Sequence, residues 1–485
     1  MTTRMFQAAA LLACASLALP GTAQQPQSIS ARDKQQGAQA HPELLQEFGG
    51  AYSGSPVPYV TRVGQKIAVQ SGLSNSQSDF TITLLNSPVN NAFAIPGGYV
   101  YVTRQLMALM NDEAELASVL GHEVGHVAAR HSAKRQSAAT RNTILGVLGQ
   151  VLVGAVAGSS GLGQLLQQGV GQAAQLATLS FSRSQEYEAD DLGIQYLVRA
   201  GYDPAASSSM LASLAAQTAL ESRQRGGAAR TLPEWASTHP DPASRVTRAL
   251  NQARKTGATG GARNRDAFLT ALNGVLYDDD PRQGIVDGNS FRHPDLKLMF
   301  TVPQGYSMAN GTTAVSVSGS NGQAQFSGGA LNGSLDSYID SVFRGLGGQS
   351  GNIGYGQIQR TQVNGLDAAY AIARANTQSG EVAVTVFAYQ FDPRTAYHFV
   401  AITPVSNPGI FNTMYRSVRR LNAAEASAIK PRRVQVVTVQ AGQTPQTFAA
   451  RMAYPDYRLE RFMILNALQA NSRLNPGQRV KIVTY

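Results

Sequence analysis

Residues 112–131 read DEAELASVLGHEVGHVAARH. Leu116, Leu120, Val124 and Val127 recur at intervals of three and four, the period of one helix face. Asp112 followed three residues later by Glu115 has the form of a capping box, so a helix is expected from Asp112 to about His131. His122 and His126 stand within it. Residues four apart lie one above the other on a helix, so both imidazoles can reach one ion, and HExxH at this spacing is the pattern of a zinc site. Glu123, beside them, is placed to act as a base on a water in that site rather than as a ligand. His131 follows His126 by five, faces another side of the helix, and reads as a surface histidine.

A catalytic zinc takes three protein ligands and keeps one position open, which means one Zn2+ per chain here. The third ligand is sought downstream in residues 182–191, SRSQEYEADD. On a helix running from about Ser184 to Ala200, Glu186 and Asp190 share a face while Glu188 points away. Glu186 is therefore the candidate ligand, with Glu188 as fallback. Asp190 is placed to accept the second N–H of a ligating histidine and fix its tautomer. The competing reading is an acidic, solvated face. A partner for a developing oxyanion is not marked by pattern; Arg183, Tyr187 and His239 are the candidates.

With 485 residues, the chain is long enough for two to four domains, and 43% hydrophobic with 14% charged residues is globular composition. The formal charge of +10 suits either an anionic surface or an unspecific solvated exterior. Zinc-finger, RRM and basic-helix patterns are absent, so nucleic acid is not expected. Arg4, an apolar run over Met5–Leu19 and Pro20-Gly21-Thr22-Ala23 have the form of a cleavable signal peptide, residues 1–23. The expected compartment is the periplasm. Cys14, the sole cysteine, allows a second reading as a lipidated residue, but apolar residues continue past it.

Residues 24–42, rich in Gln, Ser and Ala, read as a flexible leader. Helical spacing returns over 43–72. Phe80–Leu85 alternates as a strand, and Ala92–Val102 reads as strand, Pro-Gly-Gly turn, strand. Residues 144–163 are apolar but broken by Gln150 and by Gly and Ser, so a mobile loop or amphipathic helix near the site, able to contact a membrane surface through 144–170, or an ordinary buried hairpin, is expected rather than a span. Helices follow over about 204–223 and from Pro242, after the N-cap Asp241, to Lys255. Residues 255–264 are a linker in composition, a helix is expected over Asp266–Leu276, and 291–421 mixes strands with helices over 335–343 and 410–421. Residues 432–485 read as strand, helix, helix, strand.

HEVGH, SRSQEYEAD and, upstream, NAFAIPGGYVYVT together resemble the HtpX/BepA-type zinc metallopeptidases, relatives of the CAAX prenyl proteases, over roughly residues 40–255. The resemblance implies a gluzincin-like fold, Glu186 as third ligand, and a strand around Asn91, Ala92, Phe93 and Ala94 that offers its edge to peptide substrate. Lacking convincing spanning helices, the chain is more similar to the periplasmic branch. His239-Pro240-Asp241-Pro242-Ala243-Ser244-Arg245 resembles that branch's HPxPxxR loop, which implies His239 as a fourth ligand holding the enzyme latent; the competing reading is a histidine that packs on the next helix. The helical repeats that end BepA-type proteins are not seen. Instead VTVQAGQT (437–444), Phe462–Asn466 and Leu474–Ile482 resemble a LysM module, which implies binding to peptidoglycan glycan.

The expected fold class is α+β: a mainly helical metallopeptidase domain with a small sheet (43–260), an α+β accessory domain (261–428) and a small βααβ LysM-like domain (429–485). The expected function is a zinc metalloendopeptidase acting on misassembled envelope proteins. The alternative is an envelope chaperone or wall-anchored adaptor with a latent or structural zinc site.

Overall fold

The computed structural model describes residues 28–138, 181–224, 239, 242–347, 353–377 and 380–485. Residues 1–23, read above as a signal peptide, with Cys14, the apolar segment 144–163 and Asp241, lie outside the described residues.

The helix Glu113–Ala128 is the axis of the first core. Asp112 accepts from Glu115 N at 2.9 Å, and the Glu115 carboxylate returns to Asn111 N at 2.8 Å, one residue earlier than in a regular capping box. Every residue from Glu113 to His126 is buried, as a helix surrounded on all sides requires. On one side lies a three-stranded sheet in the spatial order Thr81–Leu85, Tyr99–Thr103, Ala92–Ile95, the first pair parallel and the second antiparallel. On another lies the helix Arg183–Arg199. Its approach depends on missing side chains: a Cβ on Gly125 would stand 3.1 Å from Ala189 O, and one on Gly193 3.1 Å from His122 N. The Pro-Gly-Gly turn is formed, with Gly97 and Gly98 at φ of 92° and 86°.

Residues 24–42 are not a flexible leader throughout, because a helix begins at Ala31 and runs to Glu47. Ser30 caps it by accepting from Asp33 N, and Ala40, Leu44 and Phe48 pack with Phe93, Ile95 and Tyr101 on the sheet. Its buried stripe of Gly37, Ala40 and Leu44 contains one large apolar residue, so composition hid it. The expected continuous helical spacing over 43–72 is broken at 48–55, and a second helix occupies Pro56–Ala68.

The helix expected over Asp266–Leu276 stops at Leu272. It buries Phe268, Leu269 and Leu272 in the same core as Leu116 and Leu120, so this segment packs with the helices preceding it in the chain. A seven-stranded antiparallel sheet follows, in the order Gln359–Val363, Leu366–Thr377, Gly380–Asp392, Thr395–Pro404, Gly322–Ala330, Ala314–Gly319, Ser307–Asn310. The helix Leu335–Gly347 covers one face through Tyr338, Ile339 and Phe343. A four-stranded sheet (Arg419–Arg420, Leu298–Thr301, Ser290–His293, Ile285–Asp287) contributes to the core on the other. The helix expected over 410–421 is only Asn412–Ser417, since Arg419 and Arg420 pair as a strand with Met299 and Leu298.

The C-terminal residues have the order strand Arg432–Thr438, helix Pro445–Ala449, helix Arg458–Leu465, strand Arg479–Thr484. This unit is joined to the rest by more than its covalent link. Arg432 and Arg433 pair with Tyr277 and Leu276 in one sheet, and Val434 enters the core of the HExxH helix. Lys481, fully buried, donates its Nζ to the carbonyls of Ala108 at 2.8 Å, Leu109 at 3.3 Å and Met110, where the helix Arg104–Leu109 ends. The molecule is mixed α and β throughout. Among the described residues no helix is long and apolar enough to cross a membrane.

Candidate metal centre

One ligand atom each from His122, His126, Glu186 and His239 lies within 4.8 Å of the others, and all four residues are buried. His122 and His126 share a face of the HExxH helix, with their Nε2 atoms 3.0 Å apart and rings edge to face. Glu186 stands at the start of Arg183–Arg199, a helix held by a full capping box between Ser182 and Gln185. Its Oε1 is 3.4 Å from His126 Nε2 and its Oε2 is 3.5 Å from His122 Nε2.

These separations test whether zinc fits. Ligands at about 2.0–2.1 Å in a tetrahedron stand about 3.3 Å apart, close to the separations found here. The buried Glu186 Oε1 has no hydrogen bond of good geometry among the described residues, as suits an atom meant for a cation. Nitrogen and carboxylate oxygen donors in this number are a zinc set.

The surroundings fix charge and tautomer. His122 Nδ1 lies 3.0 Å from Asp190 Oδ1, so Asp190 takes the position expected of a residue that orients the imidazole. Burial disfavours charge on His122, but Asp190 and Glu186 outweigh it and raise its pKa to about 9. Burial drives His126 down to about 4, with Glu186 offsetting only part. Glu186 is held well below the usual carboxylate range, since the neighbouring imidazoles outweigh its burial. Asp190, for which burial acts upward, is brought down to about 2 by Arg245 and His122. Glu123 is buried with Oε1 3.3 Å from His239 Nε2, and that contact outweighs burial to lower its pKa. His239 is 2% exposed and its ring centroid lies 5.3 Å from that of His122.

Two further residues complete the site: Arg245, which closes the HPxPxxR-like stretch but was given no role there, and His131. Arg245, on the helix Pro242–Lys255, is fully enclosed. It grips Asp190 with Nε–Oδ2 of 2.9 Å and Nη2–Oδ1 of 2.6 Å, and gives Nη1 to Glu186 Oε2 at 2.6 Å. His131 is the other, and the expectation of a surface histidine fails: it is 0% exposed, with Nδ1 2.8 Å from His126 Nδ1 and Nε2 3.1 Å from Glu188 Oε2. Glu188, the fallback ligand, is outside the cluster and half-exposed. Of the other oxyanion candidates, Arg183 is exposed and Tyr187 lies under the Arg248 guanidinium. Ala92–Ile95 is the outer strand of its sheet and packs beside the HExxH helix. Among its neighbours on that edge, Asn90 donates to Glu221 at 3.2 Å.

A cluster of this composition, on an HExxH helix with a glutamate from a second helix, defines a zinc metallopeptidase domain. Residues 55–253 match the model of Peptidase family M48. The chain is similar to the beta-barrel assembly-enhancing protease of Yersinia pestis, 35% identical over 200 residues that make up 41% of this chain and 39% of that protein. It is also similar to the mitochondrial metalloendopeptidase OMA1 of Schizosaccharomyces pombe, 32% identical over 221 residues, 44% of this chain and 59% of that protein. The matched stretch thus spans about two fifths of the length of the beta-barrel assembly-enhancing protease. A solved structure, cyanobacterial PsbP (CyanoP) from Synechocystis sp. PCC 6803, covers 28% of this chain and 98% of its own at a TM-score of 0.24 and 9% identity, too distant to bear on function.

Proposed function

We propose that this protein is a periplasmic zinc metalloendopeptidase that cleaves misfolded or misassembled envelope proteins, and that His239 holds it latent. The observation that carries this reading is the buried group of His122, His126, Glu186 and His239 with the carboxylate of Glu123 against it. A structural zinc site has no use for that carboxylate. The likeness to proteins named for beta-barrel assembly supports the substrate class, and the form of residues 1–23 supports the compartment.

His122, His126 and Glu186 would hold the zinc. When bound, the zinc supplies a Lewis acid for the scissile carbonyl and lowers the pKa of water to about 7. Glu123, buried and ionised, accepts a proton from the attacking water and returns it to the leaving amine. With zinc in place of the Nε2 proton, Asp190 would hold His122 by its Nδ1–H, and Arg245 keeps Asp190 and Glu186 ionised and aimed. The outer strand Ala92–Ile95, with Asn91 before it, would pair with an extended substrate backbone. His239 would be the fourth ligand, and its Nε2 lies 3.3 Å from Glu123 Oε1, so cleavage would require it to leave. The proposed functional units are 43–260, 261–428 and 429–485, with the helix Arg265–Leu272 packed into the first unit's core and peptidoglycan as the proposed ligand of the LysM-like unit.

Zinc content and casein cleavage, measured side by side for wild type, Glu123→Gln and His239→Ala, test the reading. The expected result is about one zinc per chain in all three, no cleavage by Glu123→Gln, and faster cleavage by His239→Ala. Zinc bound with no protein cut by any variant would give the site to a chaperone or adaptor instead.

A further inference from the structure

The two histidines of the HExxH helix are supported in different ways. His122 Nδ1 meets a carboxylate directly, at Asp190. His126 Nδ1 meets another imidazole, His131, at 2.8 Å, and the opposite nitrogen of that ring meets Glu188 at 3.1 Å. Glu188 reaches the surface, with its side chain 48% exposed and Lys134 Nζ 3.6 Å away. Phe181 stacks on the His126 ring at a centroid distance of 4.0 Å and 18° between planes, so the ring is wedged as well as hydrogen-bonded.

Hydrogen placement along this row follows from valence. A neutral imidazole has one N–H and one lone pair. For His126 to offer the Nε2 lone pair to an ion, its proton must lie on Nδ1. Two facing Nδ1 atoms at 2.8 Å need one donor and one acceptor, so His131 Nδ1 accepts. The His131 proton then lies on Nε2, which faces the Glu188 carboxylate, an acceptor. The reverse assignment would misplace one group on each ring: the His126 Nε2–H would point into the ligand cluster and the His131 Nε2 lone pair at an anion.

We propose that His131 is a positioning residue for His126, linking it to Glu188 so that the Nε2 lone pair of His126 is presented to the zinc. The inference rests on the zinc-peptidase reading and adds a residue that does not touch the ion. His131 stands behind His126, on the side away from the ligand atoms, and is outside the four-residue cluster.

The test is zinc affinity of the full mature chain, by competition with a chelator, for wild type, His131→Asn and His131→Phe, with thermal unfolding of each metal-free protein as a control. Asparagine can place its Oδ1 where Nδ1 stands and accept the same bond from His126. Phenylalanine keeps the ring and its packing but accepts nothing. The expected result is zinc binding about 10–100-fold weaker in His131→Phe and largely retained in His131→Asn, with metal-free melting temperatures that do not follow that order. Equal affinity in all three proteins overturns the inference, as does an equal loss in both variants. If wild type itself takes up no zinc, the peptidase reading fails and the inference with it, an outcome distinct from a zinc-loaded wild type matched by its variants.

Discussion

Arg245 holds two buried carboxylates at once, Asp190 through a two-pronged contact and Glu186 through a single one. Removing one partner of such a group leaves uncompensated buried charge, at a cost of about 3–5 kcal/mol. Arg245→Met should therefore lower the melting temperature, and the loss should be larger in EDTA than with zinc, because bound zinc supplies positive charge to Glu186. Equal losses with and without zinc would mean that Arg245 acts only by packing. His122, His126, Glu186 and Asp190 could be picked out from the sequence because a four-residue interval on a helix is itself a geometric statement. His131 could not. Its five-residue offset assumes a straight helix, whereas the helix ends at Ala128 and Arg130 takes φ of 56°, turning the chain so that His131 folds back onto His126. An arginine in that conformation carries no mark a sequence reader would see; a glycine or asparagine would have.

At the scale of elements, the HExxH helix is fixed at its first turn. Glu113 receives Tyr59 OH at 2.5 Å, Tyr202 OH at 2.6 Å, Arg62 at 2.9 Å and Asn264 at 3.0 Å. Its negative charge also faces the positive end of the helix dipole. Burial acts to raise its pKa, but these hydrogen bonds outweigh it and bring the pKa down to about 2 from an ordinary 4.5. A carboxylate with a lowered folded-state pKa stabilises fully above its unfolded value, and the contribution is lost as pH falls from about 4.5 toward 2. Glu113→Gln should cost about 2–3 kcal/mol at neutral pH. It should also flatten the decline in denaturation midpoint between pH 5 and 3; an unchanged slope would mean that other carboxylates set it. Helices were legible where large apolar residues recur, as in the HExxH helix itself. The helix Ala31–Glu47 was not, because its buried stripe is made mostly of glycine and alanine, which look the same in a leader as in a tight helix–sheet contact.

At the scale of the molecule, the order of helices and strands through the C-terminal residues was readable, but their attachment was not, since it rests on contacts between residues hundreds of positions apart. Lys481 is the clearest of these. Burial drives its pKa well below the ordinary lysine range, with Glu115 acting against that, and its amine ends on three carbonyls. Lys481→Met removes this donor from Ala108 O and Met110 O, while Leu109 O keeps Asn111 Nδ2 at 3.2 Å, and each buried carbonyl left without a donor costs about 1–3 kcal/mol. The variant should melt at a lower temperature in a single transition that includes the metal-binding core. Two separate transitions, with the core unchanged, would show that the C-terminal unit folds and melts by itself.

That attachment bears on how such a chain can be recombined. Small terminal domains are commonly treated as cassettes, exchanged between proteins at a linker. Here the cut between 428 and 432 would sever a shared sheet, pull Val434 from another unit's core and strand the helix end that Lys481 closes. A chimera bearing a foreign tail would inherit an unfinished metal-binding core. To succeed, the graft would have to bring a lysine at the Lys481 position and a first strand able to zip onto Leu276 and Tyr277. The chain's tail is thus heritable only together with its catalytic half.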